Sequence, residues 1–219
     1  MPESAILFHG PVGPVFAEAL GLPVSVASHV DAMAAAELLL GMRRFGPSAT
    51  TSLYVYARET VGYALSIGGR VHSPASGPGT IANLPAQSEL LGGSGAAVTE
   101  ILRAARNGNQ QAADLLAERA RVLGEAVALL RDLLNPDDLV VGGQAFTEYP
   151  EGMEHVEAAF AARSVLPSRD IRVTAFGNRV QEAGAGIVSL AGLYADPLGA
   201  MRRAQPALAE LSVPTETPA

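Results

Sequence analysis

The stretch SLYVYARETVGYALSIGGRVH, residues 52–72, shows the pattern that decides the fold. Ser52–Tyr56 and Val61–Ile67 have the alternation and the β-branched and aromatic content of strands. The glycine pair at 68–69 is typical of a tight hairpin turn, and it leads into a third short strand at 70–72. The stretch therefore predicts two or three antiparallel strands.

Helices alternate with short apolar strands in the second half of the chain. The predicted helices cover 97–106, 110–134, 153–162 and 184–194, and the predicted strands cover 139–141 and 171–175. Along the longest helix, apolar side chains recur at helical spacing and indicate a face toward the core: Leu115, Ala120, Leu123, Val127, Leu130 and Leu134. Strands separated by helices are typical of a parallel sheet with helices on its faces. We therefore predict an α/β fold whose mixed sheet is flanked by helices.

The segment before the hairpin predicts two helices and one strand. A helix over 11–20 ends at Gly21, a buried strand covers 24–27, and an Ala- and Leu-rich helix covers 32–40. Asp31 is the expected N-cap of that helix, because its carboxylate can accept hydrogen bonds at the positive helix end.

Two segments lack a regular apolar pattern. Residues 73–95 are rich in Pro, Gly and Ser and predict a long loop, and loops of this length are usually functional or disordered. Residues 198–219 contain three prolines and are expected to form a flexible tail.

The composition of the chain excludes several kinds of protein. With 219 residues, 48% of them hydrophobic and 17% charged, the chain resembles folded domains rather than disordered ones. A formal net charge of −7 does not by itself attract nucleic acid or an anionic membrane. The absence of cysteine excludes disulfides and thiolate metal sites. Because no signal peptide and no membrane-length apolar run are visible, we expect a cytoplasmic protein.

Three segments fall in an order and at spacings that resemble a known family. They are VASHVDA at 26–32, the hairpin and loop from Ser66 to Leu84, and NPDDLVVGG at 135–143. Together they are similar to landmarks of the ROK family (repressors, open reading frames and sugar kinases), over roughly residues 21–194. The resemblance implies the C-terminal lobe of the actin-like ATPase (ribonuclease H-like) fold. It further implies a domain over 1–197 that lacks the N-terminal lobe and the winged helix of the family's regulators.

The residues at the family's catalytic positions differ from those of its kinases. By the resemblance, the Asp that acts as general base on the sugar is replaced by His29, next to Ser28 where the family has Asn. The family's sugar-binding Glu falls on Thr80, and its sugar- and zinc-binding His falls on Asn83. Thr and Asn can still bind hydroxyl groups, so an altered ligand pocket is possible.

The nucleotide loop is altered as well. The family's kinases place closely spaced glycines before the hairpin so that backbone N–H groups can approach phosphate. Residues 57–63 have one glycine, together with Glu59, which repels phosphate, and Arg58, which attracts it. The glycine pair Gly142-Gly143 contacts adenosine in family kinases by the same resemblance, but it can equally serve a tight turn after a strand.

The segments that resemble the ROK family, together with the altered catalytic and nucleotide-loop positions, predict a non-catalytic effector-sensing and dimerisation domain of a ROK-type transcriptional regulator. We expect neither a cofactor nor a metal and no catalytic residue. The partners expected are a sugar or sugar-derived effector, a second copy of the chain, and DNA only through a region absent from this chain. The predicted ligand-binding residues are Ser28, His29, Asp31, Thr80 and Asn83.

Two other interpretations stay open. The first is an ATP-dependent sugar kinase that uses His29 or Asp31 as its base. The second is a protein-interaction scaffold that binds no small ligand.

Overall fold

The computed structural model describes residues 12–22, 24, 26–41, 50–72, 79–80, 98–167, 170–199 and 201–202. The chain separates into two compact units. Unit 1 comprises Met1–Val26 and Gly186–Ala219, and unit 2 comprises Ala27–Ala185. Each unit is described by itself below.

Unit 2 is built on a mixed β-sheet. In the part of the chain that the structure describes, the strands are β1 (Thr51–Ala57), β2 (Val61–Ile67), β3 (Arg70–His72), β4 (Gly79–Thr80), β5 (Asp138–Gly142) and β6 (Arg172–Val173). Their order is β3-β2-β1-β5-β6, and β4 pairs with β2. β2 pairs antiparallel with β1, β3 and β4, whereas β5 pairs parallel with β1 and β6. The predicted combination of an antiparallel hairpin with a parallel portion is therefore present.

The α-helices that lie wholly within the described ranges are α1 (Val12–Leu20), α2 (His29–Leu40), α3 (Val98–Arg106), α4 (Gln110–Leu134), α5 (Gln144–Thr147), α6 (Met153–Arg163) and α7 (Val180–Ala195). Short 3₁₀ turns at Pro150–Gly152 and Gly177–Arg179 precede α6 and α7. α1 belongs to unit 1, and α2 to α6 belong to unit 2. α4 has the predicted bounds, and Asn135 ends it in the left-handed conformation with φ 41°.

Four predictions about local structure need correction. The described residues of the strand predicted at 24–27 join no sheet, and Val26 is 65% exposed, because a four-residue segment without a paired neighbour does not make a strand. The predicted loop at 73–95 contains β4, while its other residues lie outside the described ones. α7 begins four residues before the predicted helix at 184, and α5 was not predicted. In the predicted tail, residues 198–199 and 201–202 are helical, and the rest lies outside the described chain.

Alternate side chains of β1 enter two separate cores. Leu53 and Val55 pack in one cluster with α4 and α6, whereas Tyr54 and Tyr56 pack in a second cluster with α2. This division follows from strand geometry, in which successive side chains point to opposite faces. β1 is therefore the central strand, with both of its faces covered.

α4 and α6 pack closely at one glycine. A Cβ built on Gly124 would lie 2.3 Å from the carbonyl oxygen of Val156, so no larger residue fits without moving a helix. The predicted apolar face of α4 is the one that meets this core, since Ala120, Leu123 and Val127 are buried there.

Asp137 fixes the register between β1 and β5. One of its carboxylate oxygens accepts hydrogen bonds from the backbone N–H and the hydroxyl of both Thr50 and Thr51, at 2.8–3.1 Å. These four hydrogen bonds, from Thr51 first, lower the pKa of Asp137 to about 2. The carboxylate therefore ties the start of β1 to the start of β5.

We expect Asp137→Asn to destabilise the protein at neutral pH, because an amide cannot accept all four hydrogen bonds as an anion does. The contribution of Asp137 is present above its unfolded pKa near 3.8 and is lost as the pH falls toward about 2. Urea unfolding between pH 7 and pH 2.5 should therefore show that the difference in the free energy of unfolding between the unmodified protein and Asp137→Asn becomes smaller as the pH falls. Glu157→Gln on the surface of α6 is the control, and an equal pH dependence in both variants would contradict the role of Asp137.

Candidate functional site

Ser28 rather than Asp31 caps the N-terminal end of α2. The Ser28 Oγ accepts from the backbone N–H of Asp31 at 3.5 Å, and the helix begins at His29. The predicted cap at Asp31 is therefore wrong: this residue lies in the first turn, where its charge still favours the positive helix end. Both residues suit a cap, and the structure shows that the helix starts one turn earlier than predicted.

His29 lies against an aromatic ring of the sheet. Its imidazole meets the ring of Tyr56 edge to face, with centroids 5.5 Å apart and an interplanar angle of 85°. Burial lowers the pKa of His29 below its ordinary value, and the nearby carboxylate of Asp31 opposes this shift. The imidazole is therefore neutral near pH 7, when one ring nitrogen can accept a hydrogen bond and the other can donate one.

The sheet register brings Thr80 into the same row as Tyr56. Thr80 pairs with Gly62, and Gly62 pairs with Tyr56, whose other neighbour is Gly142. Adjacent strands lie about 4.8 Å apart, so the backbones of Thr80 and Tyr56 are separated by about 10 Å. Among the predicted ligand residues, Ser28, His29 and Asp31 share one helix end, Thr80 lies on the sheet row beside it, and Asn83 lies outside the described residues.

Tyr56 also lines a small cleft at the carboxyl ends of β1 and β5. The cleft has a volume of about 120 Å³, and its lining residues are Tyr56, Arg58, Gly143, Gln144, Glu148, Gly177, Asn178, Val180 and Gln181. Sites for drug-sized ligands usually measure 300–1,000 Å³. In this conformation the cleft is therefore too small for a whole sugar nucleotide.

Side chains of the cleft bind one another. The Arg58 Nε donates to Gln144 Oε1 at 2.9 Å, and Gln144 Nε2 donates to Glu148 Oε1 at 3.0 Å. The same carboxylate oxygen accepts from Asn178 Nδ2 at 2.8 Å, and Gln181 Nε2 donates to the Tyr56 hydroxyl at 3.0 Å. The network links the end of β1, helix α5 and the start of α7. None of these side chains was predicted, because each hydrogen bond except that between Gln144 and Glu148 joins residues far apart in sequence.

The turn between β1 and β2 is held by its own groups and by α4. The backbone N–H of Arg58 donates to the Thr60 carbonyl at 3.0 Å, and the Arg58 carbonyl accepts from the guanidinium of Arg119. Arg58 also forms an ion pair with Glu59 at 2.9 Å. The Arg58 amide, which a glycine-rich turn would offer to phosphate, is therefore already occupied.

The glycine pair after β5 is required by packing. A Cβ on Gly142 would lie 2.2 Å from the hydroxyl of Tyr54, and Gly143 has φ +92°. A Cβ on Gly143 would lie 2.4 Å from the Ala57 carbonyl and 2.8 Å from the Tyr56 ring. Both glycines thus let the tyrosines of β1 approach the backbone.

A buried ion network joins α2 to the sheet. Glu37, which is 5% exposed, pairs with Arg172 at 3.0 Å, and Arg172 pairs with Asp138 at 2.9 Å. The Thr174 hydroxyl donates to the same Glu37 carboxylate. This network ties the C-terminal part of α2 to β6 through Arg172, and Arg172 in turn binds Asp138 of β5.

The described residues offer no group of three or more His, Asp or Glu side chains that could hold a metal ion. None of the helices in the described part of the chain is long and apolar enough to cross a membrane.

Comparison with known sequences points to regulators and, more distantly, to a kinase. No protein-family model matches the chain. It is 70% identical over 227 residues to transcriptional regulator Rv0485 from Mycobacterium tuberculosis, a match that covers 88% of this chain and 52% of the relative. The chain thus spans about half the length of the curated relatives it matches. It is 33% identical over 129 residues to the kanosamine kinase of Amycolatopsis mediterranei, covering 58% of this chain and 41% of the kinase.

Comparison with solved structures identifies the fold. A ROK family transcriptional regulator homologous to Escherichia coli Mlc superposes with a TM-score of 0.62 at 21% identity, over 81% of this chain and 54% of that one. A ROK hexokinase from Thermus thermophilus superposes with a TM-score of 0.59 at 22% identity, over 81% of this chain and 68% of that one. The predicted actin-like ATPase fold with its mixed sheet and flanking helices is confirmed.

We expect the buried ion network to stabilise unit 2 much more than a surface ion pair does. Glu37→Ala removes the buried carboxylate that binds Arg172 and Thr174 and leaves Arg172 with Asp138 alone, so it should lower the free energy of unfolding by about 3 kcal/mol. Glu182→Ala removes the exposed pair of Arg179 and Glu182 and should cost no more than about 0.5 kcal/mol. Urea unfolding measures both, and equal losses would show that the Glu37 network is not structurally important.

Proposed function

We propose that this chain, which has the fold of the ROK proteins, is a non-catalytic effector-sensing and dimerisation domain of a transcriptional regulator. The observation that carries the proposal is the 70% identity, over 88% of the chain, to a protein named as a transcriptional regulator. Identity of that degree over most of the chain favours a shared role over the more distant kinase relative.

The end of α2 supports an effector site. The neutral imidazole of His29 and the carboxylate of Asp31 lie in the first turn of α2, and His29 contacts Tyr56 in the same row of the sheet as Thr80. Such groups bind ligands with several hydroxyls, because they offer both donors and acceptors. We therefore propose a sugar or sugar-derived effector that contacts Ser28, His29, Asp31, Thr80 and Asn83.

The turn after β1 supports the absence of catalysis. Phosphoryl transfer needs donors that hold the phosphates and a base that accepts the hydroxyl proton. Here the Arg58 amide is bonded to Thr60, the Glu59 carboxylate lies beside it, and a histidine replaces the expected carboxylate base. We infer that the chain senses a ligand without phosphorylating it.

The exposed apolar surface of α1 supports dimerisation. α1 buries none of its nine residues, and Val15, Phe16 and Leu20 are each more than half exposed. Clustered apolar side chains of this kind are typical of protein interfaces. We propose a second copy of the chain as the occupant, and we assign DNA contacts to the part of the regulator that this chain does not span.

An ATP-dependent sugar kinase is the second candidate, favoured by the similarity to the kanosamine kinase. In that case His29 or Asp31 would accept the proton of the sugar hydroxyl. A ligand-free interaction scaffold is the third, and the same screen separates all three.

We expect sugars to raise the melting temperature of the chain and ATP to leave it unchanged. A ligand that binds only the folded state at 100 times its Kd stabilises by about 2.7 kcal/mol, which corresponds to a shift of roughly 5–10 °C for a protein of this size. The panel is hexoses, hexose phosphates, kanosamine and ATP, followed by thermal unfolding. His29→Ala and Asp31→Ala should abolish the shift, whereas His155→Ala, on the surface of α6, should keep it. A higher melting temperature with ATP would support the kinase. An unchanged melting temperature with every compound would support the scaffold.

We expect the chain to be a dimer that Phe16→Glu converts to a monomer, because a charge in an apolar interface loses its hydration without a partner. Static light scattering at several concentrations measures the mass. Leu133→Glu is the matched control, since this α4 side chain is 75% exposed yet belongs to unit 2. A monomeric unmodified chain, or equal dissociation by both variants, would contradict an interface on α1.

A further inference from the structure

Tyr56 contacts the proposed effector helix with one part of its side chain and α7 with another. Its ring meets His29, the first residue of α2, edge to face at 5.5 Å. Its hydroxyl accepts from Gln181 Nε2 at 3.0 Å, and Gln181 is the second residue of α7. The tyrosine is only 6% exposed. One buried side chain therefore bridges two helix starts that are about 150 residues apart in the sequence.

We propose that Tyr56 is a positioning residue that couples the ring of His29 to the first turn of α7. A ligand or a proton that moves the imidazole then changes the Tyr56–Gln181 hydrogen bond and the start of α7. The proposal rests on the assignment of His29 to the effector site, and it adds the route by which occupancy of that site reaches a second helix.

The backbone of Tyr56 is held in place and cannot shift when the His29 ring moves. Tyr56 pairs with Gly62 on one side and with Gly142 on the other, in the centre of the sheet. Its ring lies so close to Gly143 that an added Cβ there would come within 2.8 Å. With the strand and one side of the ring fixed, a displaced imidazole moves the ring by rotation about the Cα–Cβ bond, and this rotation carries the hydroxyl with it.

The start of α7 is suited to respond. Gly177, with φ +53°, and a 3₁₀ turn precede the helix. Val180 is buried in the same apolar cluster as Tyr56 and Val30 of α2, so packing connects the three elements as well. The ion pair of Arg179 with Glu182 is exposed and holds the turn only weakly. The Gln181 hydrogen bond is thus a directional link from the sheet to this turn.

A proton on His29 tests the coupling without any effector. Burial lowers the pKa of His29, and the charged groups that act on the pair are Asp31 on α2 and Arg58 and Glu59 after β1. Imidazole is the side chain whose ordinary pKa lies between pH 5 and pH 8, and His29 carries the only imidazole among these groups. Lowering the pH from about 7.5 until the ring signals of His29 report a bound proton therefore charges this ring.

The experiment follows the amide signals of 180–183 and the ring signals of His29 by NMR across this pH range. We expect the α7 amides to titrate with the pKa of His29 in the unmodified chain. Tyr56→Phe keeps the ring contact and should therefore leave the pKa of His29 unchanged. It should nevertheless remove most of the pH-dependent change in the chemical shifts of the α7 amides. Gln181→Leu, on an exposed side chain, should do the same, and the double variant should lose no more than either single variant.

Two histidine variants complete the test. His29→Gln should abolish the α7 titration, and His155→Gln should leave it intact. The proposal is overturned if the α7 amides do not follow His29, or if they keep their full amplitude in Tyr56→Phe and Gln181→Leu. If the α7 amides follow His29 but no sugar binds, the assignment of His29 to an effector site is contradicted and the coupling is not. If a sugar binds but the α7 amide signals do not change with pH, the coupling is contradicted and the effector site is not.

Discussion

The parallel pairing of β1 with β5 is the constraint on which the remaining structure depends. It places residues 52–56 beside 138–142, and the Asp137 carboxylate sets the register by binding Thr50 and Thr51. Because β1 is central, its alternate side chains form both cores, one under α4 and α6 and the other under α2. The same register brings the turn at Arg58 next to Gln144 and so forms the cleft at the strand ends. The pairing of β1 with β5 therefore determines both the packing of the cores and the geometry of the cleft.

The proposed sensing role depends on the second of these cores. Tyr56 has its ring against His29 and its hydroxyl on Gln181, while Glu37 holds the other end of α2 through Arg172. α2 is therefore anchored toward its C-terminus by charge, while its first turns are held by the Tyr56 ring and by the apolar packing of Val30 and Met33. A ligand at the His29 end would act on the end of the helix that is held by packing rather than by charge. This asymmetry suits a domain that reports occupancy better than one that must align a phosphate for transfer.

Local sequence patterns predicted the elements, and distant contacts decided the site. The hairpin with its glycine pair and the 25-residue helix α4 were predictable, because alternation, helical spacing and turn residues act over a few positions. The start of α2 was not, since Ser28 and Asp31 are both good caps and tertiary packing selects between them. Of the predicted site, the structure places Ser28, His29 and Asp31 at one helix end, and the ligand-binding roles of these three residues, Thr80 and Asn83 all stay predictions. Tyr56 and Gln181 lie 125 residues apart, and no local signal pairs them.

The packing of Tyr56 on Gly143 has a consequence for how related chains are classified. A glycine pair after this strand is a tempting signature of nucleotide binding, yet here a tyrosine ring and the Ala57 carbonyl already require the absence of a side chain. Selection on packing alone would preserve the pair long after any nucleotide was lost. Surveys of related sequences should therefore weigh the glycines together with the residue at position 56. An aromatic residue there explains Gly143 without a ligand, as does the Ala57 carbonyl, and a tyrosine at position 54 does the same for Gly142.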